Sequence, residues 1–409
     1  MLQSCNELFT TFDNGLSTAY ALFSACSGFL SVLSSITVLH IIWRGGKKKW
    51  CRVQNRLLVG MSVVDILYST ALSFSFIPAP RGECSFGYGT VSTCNAQGFF
   101  VQVGMALPLY VTMISLHSLL SIAYDVSEEM IARKYEPIMH ALCILPPLAM
   151  ATIGATAHVF FNVNGVCWIL HSSWYDDNCQ DNCYSWSRDV GGIILITTIS
   201  LVSVSEVLMH SFLFKIYLTI RERAAGMRRF TFTPSGDQGM LRREPSSMDI
   251  AANESAKQAL LYVLVHTVTS IWPLLFLFVP TEDEYFHSVI YIGTAIFLPL
   301  HGFFNFLAYI RPRFLALRRR RKDLSFLDTM KLIICASEDQ SQLRRRIGLQ
   351  HKRRASFPLA STDDVGNNVA DSMEHISGSD EYSDDSLSKE TLDTIRLAAA
   401  SFGQNVAST

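Results

Sequence analysis

The sequence lacks the short motifs that most catalytic sites require. It has no His-x-x-x-His or His-Glu-x-x-His pair for a metal, no nucleophile elbow and no glycine-rich phosphate loop. Glu206 and His210 would share one helix face, but two ligands alone do not make a metal site. We therefore expect no enzyme, no cofactor and no metal centre, and we expect no nucleic-acid partner.

Seven long apolar stretches fill most of the first 310 residues. These are residues 16–43, 53–77, 96–124, 138–161, 190–220, 256–279 and 286–310. About 20 helical residues cross a hydrocarbon core of about 30 Å, so each stretch is long enough to span a bilayer. The chain is 49% hydrophobic, which is too apolar for a soluble protein with a long polar tail. The sequence predicts an all-α membrane protein with a seven-transmembrane helix bundle over residues 16–310.

The segments between the apolar stretches alternate in charge, and every second one contains little lysine or arginine. Residues 1–15 and 280–285 contain none, and residues 78–95 and 162–189 contain one each. The remaining connectors and the tail are basic, and basic segments stay in the cytoplasm. We therefore predict a plasma-membrane protein with a short extracellular amino terminus, residues 1–15, a cytoplasmic carboxyl terminus and no cleavable signal peptide.

Two further absences narrow the function. The last stretch, 286–310, contains no lysine, which excludes a light-driven protein with a retinal Schiff base. No internal repeat with matching broken helices is evident, although such repeats are typical of transporters. Seven spans followed by a long polar tail favour signalling, and a multi-pass transporter or channel is the alternative.

The cysteines in the predicted outer segments have the chance to form disulfides. They are Cys5, Cys84, Cys94, Cys167, Cys179 and Cys183. A bond between Cys94, at the outer end of the third span, and Cys167 would tie the second outer loop over the bundle mouth and contribute about 2–4 kcal/mol. Spacing does not determine connectivity, so Cys179 and Cys183 are alternative partners of Cys94.

Several polar side chains fall inside the apolar stretches, where a charge costs about 2.5–3.5 kcal/mol on insertion scales. Asp65, His266, His301 and Asn305 lie in the middle and inner layers of their spans. We predict that they form a hydrogen-bonded polar core that accommodates water or a cation. The alternative for each histidine is a bond to a neighbouring carbonyl.

Proline predicts bends in the last two spans. Trp272-Pro273 interrupts the sixth stretch and Pro299 the seventh. Proline removes one backbone hydrogen bond and bends a helix, and a membrane bundle can repair the freed carbonyl locally. A bend at Pro273 would let the inner end of the sixth helix swing outward.

Two short motifs carry a family resemblance. Asn55-Arg56-Leu57 followed by Ser62-Val63-Val64-Asp65, and Gly302-Phe303-Phe304-Asn305 running on to Tyr309, resemble the second and seventh spans of G-protein-coupled receptors of the cyclic-AMP-receptor-like and secretin-like groups. The resemblance implies a receptor that activates a heterotrimeric G protein, with Asp65, Asn305 and Tyr309 in its switch. The acidic-Arg-Tyr triplet of rhodopsin-like receptors is absent, since the chain reads Ala123-Tyr124-Asp125-Val126, so their activation mechanism is not implied.

The predicted second outer loop contains the candidate ligand contacts. Trp168, Trp174 and Tyr175 stand among acidic residues there. Aromatic and acidic groups together suit a cationic or amphipathic ligand, either a small molecule or a peptide. The alternative is that these aromatics are membrane-interface anchors.

The predicted inner face is equipped for cytosolic partners. Arg133, Lys134, Arg221 and Arg223 are candidate G-protein contacts, although topology control alone also explains basic residues at these positions.

The segment after the last span alternates basic and apolar residues. Residues 311–335 therefore predict an amphipathic helix on the inner leaflet, with Cys335 as a palmitoylation candidate or a plain free thiol. Residues 336–409 are poor in apolar groups and predict a disordered tail. Ser246 and Ser356 are candidate phosphorylation sites, through which a receptor kinase or an arrestin-like protein would act.

Overall fold

The computed structural model describes residues 14–81, 87–163, 165–169, 185–230, 247–278, 284–320 and 325–335. The described helices, in chain order, are α1 Asn14–Arg44, α2 Gly46–Trp50, α3 Val53–Ser73, α4 Val91–Val103, α5 Ala106–Ala123, α6 Glu128–Met130, α7 Glu136–Thr156, α8 Ser185–Phe230, α9 Ser247–Phe278, α10 Glu284–Phe297, α11 His301–Arg320 and α12 Phe326–Cys335. A π-helical turn, Ile131–Tyr135, joins α6 to α7. Two strands, β1 Phe160–Val163 and β2 Val166–Ile169, form a hairpin.

Six helical segments in the described residues are long and apolar enough to cross a membrane. They correspond to α1, α3, α4 with α5, α6 with α7, α8 and α9. The bent pair α10 and α11 is a seventh candidate. Large apolar side chains point outward from the bundle, among them Phe29, Leu145, Ile193 and Phe214, each more than 60% exposed. A lipid bilayer covers such faces, so the architecture is that of a multi-pass membrane protein.

The two prolines behave differently from each other. The last predicted span does break at Pro299, where α10 and α11 meet at 53°. The Ser69 hydroxyl donates to the Pro299 carbonyl at 3.2 Å, which satisfies an oxygen at the break. At Trp272-Pro273 the helix α9 continues through Pro273 to Phe278, and the bend predicted there stays a prediction. A proline removes a single backbone bond, and the other bonds of this long helix keep it continuous.

A row of serines fixes α1 against the helices beside it, and we call it the serine seam: Ser24, Ser27, Ser31 and Ser35. Ser24 donates to the Leu72 carbonyl at 2.9 Å, and Ser27 donates to the Ala295 carbonyl at 3.1 Å. Ser31 accepts from the Gly302 amide at 2.9 Å. These bonds replace the water that buried hydroxyls would otherwise need, and they set the position of α1 along its neighbours.

The hairpin lies where the sequence predicts the end of a span. The fourth stretch was expected to run to residue 161, but its helix ends at Thr156 and residues 160 and 161 belong to β1. Gly165 takes a φ of +93° in the turn, a conformation that suits glycine.

A disulfide and a side-chain bond attach β2 to α4. Cys94 and Cys167 form the expected disulfide, with their Cα atoms 5.3 Å apart. The Cys167 amide also donates to Gln97 Oε1 at 2.9 Å. Cys84, Cys179 and Cys183 lie outside the described residues, as does Cys5.

Helices at the opposite end of the bundle run further than the sequence predicts. The helix α8 reaches Phe230, although the loop was expected from residue 221. The helix α11 reaches Arg320, so the predicted amphipathic helix over 311–335 is two elements, and only α12 is a separate helix. The ring of Phe326 on α12 lies 5.2 Å from that of Phe314 on α11.

Candidate functional site: a cavity above a buried polar chain

A cavity of about 260 Å³ lies inside the bundle beside the hairpin. Its walls are mostly apolar and aromatic, and they include Tyr20, Tyr68, Trp168 and Tyr291. The rings of Tyr20 and Tyr291 stack with centroids 4.2 Å apart. Concave, largely apolar spaces with few polar groups are typical of small-molecule sites.

The hairpin wall of the cavity is held by one glutamine. Gln102 is fully buried on α4, and its Oε1 accepts from the indole N–H of Trp168 at 2.9 Å. Its Nε2 donates to Thr198 Oγ1 on α8 at 2.8 Å. One side chain therefore joins β2, α4 and α8, and it fixes the orientation of Trp168. Sequence reasoning did not select Gln102.

Asp65 is 1% exposed and lies where α1, α3 and α11 meet. Its Oδ2 accepts from Ser35 at 2.7 Å and from Ser31 at 3.2 Å. A Cβ added to Gly302 would lie 2.0 Å from the same oxygen, so only glycine permits this approach of α11.

His301 lies beside Asp65 on the other side. Its Nδ1 is 3.4 Å from Asp65 Oδ1 and 3.0 Å from Asn305 Nδ2. Both Asp65 Oδ1 and Asn305 Oδ1 are buried without a hydrogen bond among the described residues. Three of the predicted polar-core residues are thus in one place.

His266 continues this arrangement toward α8. Its ring stands at 90° to that of His301, with centroids 5.7 Å apart. Its Nε2 is 2.6 Å from Glu206 Oε1, and the Ser270 hydroxyl lies 3.4 Å from the same nitrogen. All four predicted members, Asp65, His266, His301 and Asn305, are therefore close together.

We call the series Asp65, His301, His266 and Glu206 the polar chain. It runs from α3 through α11 and α9 to α8. His266 and His301 also line the cavity, so the chain forms part of the cavity wall. The sequence showed Glu206 and His210 on one face of α8, but it gave no signal that this face meets His266. His210 is half-exposed, and its Nδ1 lies 2.8 Å from the Glu206 carbonyl oxygen.

The other predicted switch residues lie outside the polar chain. Trp272 stacks on Phe297 with centroids 5.1 Å apart, and Pro273 lines the cavity. Tyr309 is buried further along α11, where its hydroxyl accepts from Arg313 at 3.1 Å.

Charged pairs gather at the end of the bundle away from the hairpin. Arg223 on α8 bonds both oxygens of Asp125, just after α5, at 2.9 and 3.2 Å. Arg56 likewise bonds both oxygens of Glu136. The predicted contacts Arg133, Lys134 and Arg221 are exposed, so only Arg223 of the four is engaged in a described ion pair.

Lys49 lies in the connection between α1 and α3. Its Nζ donates to the Ile41 carbonyl at 2.5 Å. Partial burial, followed by the nearby positive charge of Arg313, lowers the pKa of Lys49 to about 8.

Other predicted site residues cannot be placed from the geometry. Trp174, Tyr175, Ser246 and Ser356 lie outside the described residues. Cys335 is the last residue of α12, and its side chain also lies outside them. Within the described ranges, no three His, Cys, Asp or Glu side chains converge as metal ligands.

Comparison with known proteins adds no relative. No protein-family model matches the chain, and no curated protein matches it. The fold and the site together define a helical multi-pass membrane protein with an internal cavity and a buried polar chain.

Proposed function

We propose that this protein is a cell-surface G-protein-coupled receptor of the cyclic-AMP-receptor-like or secretin-like kind. The observation that supports it best is that two residues, His266 and His301, belong both to the cavity and to the polar chain. A molecule in the cavity would touch the groups that join α3, α11, α9 and α8. In this proposal the span order and the basic connectors place the amino terminus outside the cell, so the cavity opens toward the extracellular side.

The proposed transmission is a movement of α9, the sixth span. This helix presents His266, Thr269 and Pro273 to the cavity. The Glu206–His266 pair is its polar attachment to α8. A ligand that displaces His266 would weaken this attachment, and the inner end of α9 would move as a rigid body. The movement need not start from a bend at Pro273.

The inner end supplies the second part of the proposal. The Asp125–Arg223 pair joins the end of α5 to α8. Opening this end would free Arg223 and add it to the exposed basic surface of Arg133, Lys134 and Arg221, and an acidic face of a G protein would bind there. Phosphorylation of Ser246 or Ser356 would then recruit a kinase or arrestin-like partner.

The cavity walls indicate the kind of ligand. The titratable residues of the cavity wall are histidines and tyrosines. The other wall residues are apolar or carry a hydroxyl group. We propose a compact, mostly apolar molecule with one hydrogen-bonding group directed at His266 or Ser270. A peptide would have to place a single apolar side chain here.

The test is nucleotide exchange by heterotrimeric G proteins with the purified protein in nanodiscs. Compounds are screened first for thermal stabilisation of the protein, which requires no knowledge of the partner. A compound that stabilises the protein should also accelerate exchange, and Thr294→Leu, which adds an apolar side chain to the cavity wall, should weaken both effects. Absence of exchange with every G protein, together with solute flux into liposomes, would replace the receptor by a transporter or channel.

A further inference from the structure

The polar chain has a charge composition that its role in helix attachment does not explain. Two carboxylates stand at its ends and two imidazoles between them. We propose that these four side chains form a proton-binding site, so that the receptor responds to acidity as well as to its ligand. The inference goes beyond the proposed function, and its test does not depend on a G protein or on a ligand.

Burial makes the charge of this site costly. Asp65 is 1% exposed, His301 3% and His266 4%, and the Glu206 side chain is 21% exposed. Within the described residues, no Lys or Arg forms an ion pair with any of the four. Protons held by these four groups can therefore balance the carboxylates inside the bundle.

Counting protons gives a definite neutral state. The site has no net charge when both carboxylates are protonated and both histidines neutral. It also has no net charge when both carboxylates are ionised and both histidines are protonated. Both states contain two protons on the four side chains. Burial therefore favours a total of two protons, whichever side chains hold them. Each proton removed from that count leaves one negative charge in the core.

The surroundings of the site contain one more group that can gain a proton. His210 on α8 lies 3.8 Å from Glu206 Oε2, but its side chain is 52% exposed. On α5, which packs beside α9, Tyr110 bonds His140 and His117 bonds Glu128, so both are engaged elsewhere. From α1 only hydroxyl groups reach Asp65, those of Ser31 and Ser35. On α10, Tyr291 stacks on Tyr20.

Proton binding is linked to the helix arrangement through the two pairs. Glu206–His266 connects α8 to α9, and Asp65–His301 connects α3 to α11. The neutral site stabilises both connections, whereas each proton lost leaves an uncompensated negative charge in the core and weakens them. Because His266 and His301 also line the cavity, a ligand that displaces either ring changes proton affinity, and protons change ligand affinity by the same factor.

The experiment follows the histidines directly. The full chain is labelled with 15N and 13C at histidine, placed in nanodiscs and titrated from about pH 5 to 8, the range in which histidines ordinarily titrate. Single variants His266→Gln and His301→Gln assign the two resonances. Infrared difference spectra over the same range report protonated carboxyl groups, with Asp65→Asn and Glu206→Gln identifying the bands. The matched control is His40→Gln, which removes an exposed histidine of α1.

We expect the His266 and His301 resonances, or the carboxyl bands of Asp65 and Glu206, to change between these pH values. The change at His266 should move in pH in both Glu206→Gln and His301→Gln, because coupled groups share their protons. It should stay in place in His40→Gln. Should a single variant fail to fold, the double variant Glu206→Gln/His266→Gln places two neutral amides at this pair, and the change at His301 should then move in pH relative to the unsubstituted chain. If neither the ring signals nor the carboxyl bands change, the proton site does not exist. If they change independently of one another, the shared site does not exist.

Discussion

The carboxylate of Glu206 meets the imidazole of His266 at 2.6 Å across the boundary between α8 and α9. The two residues are 60 positions apart in the sequence. They form a short polar contact that joins these two helices at mid-bundle. The consequence is that the position of α9 depends on a group that α8 supplies.

Removing Glu206 should therefore loosen α9. We expect Glu206→Ala to lower the free energy of unfolding by about 1–3 kcal/mol, the range for a buried partner left unpaired. Thermal melting of the protein in nanodiscs measures it. The control His210→Ala should cost less, because that side chain is half-exposed. Equal losses in the two variants would contradict a special role for Glu206.

The close approach of α11 to Asp65 makes position 302 intolerant of any side chain. A Cβ there meets Asp65 Oδ2 and Ser35 Oγ at 2.0 and 2.4 Å. We expect Gly302→Ala to destabilise the protein by about 1–3 kcal/mol, the usual cost of overpacking.

The matched control for this substitution is Gly192→Ala on α8, where an added Cβ meets nothing within 4 Å. This change should stabilise the helix by about 0.5–1 kcal/mol. Melting temperatures of the two variants should therefore move in opposite directions. A similar change in both would mean that α11 can move away from Asp65.

Gln102 should control the order of the hairpin. The substitution Gln102→Leu leaves the Trp168 indole N–H without its acceptor, at about 1–3 kcal/mol for a buried group left unpaired, and it removes the bond that Thr198 Oγ1 accepts. Hydrogen exchange of the β2 amides should become faster, while the disulfide keeps Cys167 attached. In Gln258→Leu, at the far end of α9, exchange in β2 should be unchanged. Unchanged β2 protection in Gln102→Leu would show that the disulfide alone orders the hairpin.

The Asp125–Arg223 pair is exposed, so its loss should affect activity more than stability. We expect Arg223→Gln to change the unfolding free energy by less than about 1 kcal/mol. Under the proposed receptor function, basal nucleotide exchange by the G protein should rise about two- to fivefold, which corresponds to release of a constraint of that size. Lys215→Gln, also exposed on α8, is the control. Restoration of the basal rate by the swap Asp125→Arg/Arg223→Asp would establish the pair itself as the cause.

Lys49 predicts a pH effect on stability. Its pKa is lowered from 10.5 to about 8, so between these values the unfolded chain binds a proton that the folded protein has released. Stability should therefore rise as the pH increases from about 8 to 10.5, and the burial cost of the charge is fully present below about 8. The 13C signal of reductively methylated Lys49 should titrate near pH 8. Lys49→Met should remove both this signal and its part of the pH slope.

Parts of this structure follow from local sequence patterns. Seven apolar stretches predict the long helices, because a length of about 20 apolar residues is a one-dimensional property. The break at Pro299 and the proximity of Asp65, His301 and Asn305 were also predicted. The pair Cys94–Cys167 was one of several open pairings, and it is the one the structure contains.

Other parts depend on three-dimensional packing. The rotation of α8 about its axis decides that Glu206 faces His266, and a sequence contains no direct signal of that rotation. Gln102 and the serines of α1 are ordinary residues until their partners are known. Pro273 leaves α9 continuous, which residue type alone does not reveal. The sequence predicts a helix at the start of the hairpin, because Phe160 and Phe161 continue the apolar stretch that precedes them.

The serine seam has a consequence for biosynthesis. Two of its bonds, Ser27 to Ala295 and Gly302 to Ser31, join residues 268 and 271 positions apart. The helix α1 therefore keeps part of its polar face unmatched until α10 and α11, which are translated later, have entered the membrane. A nascent chain stopped before α10 would present these hydroxyls to lipid or to a chaperone. The serine seam is therefore complete only when α10 and α11 have been inserted beside α1.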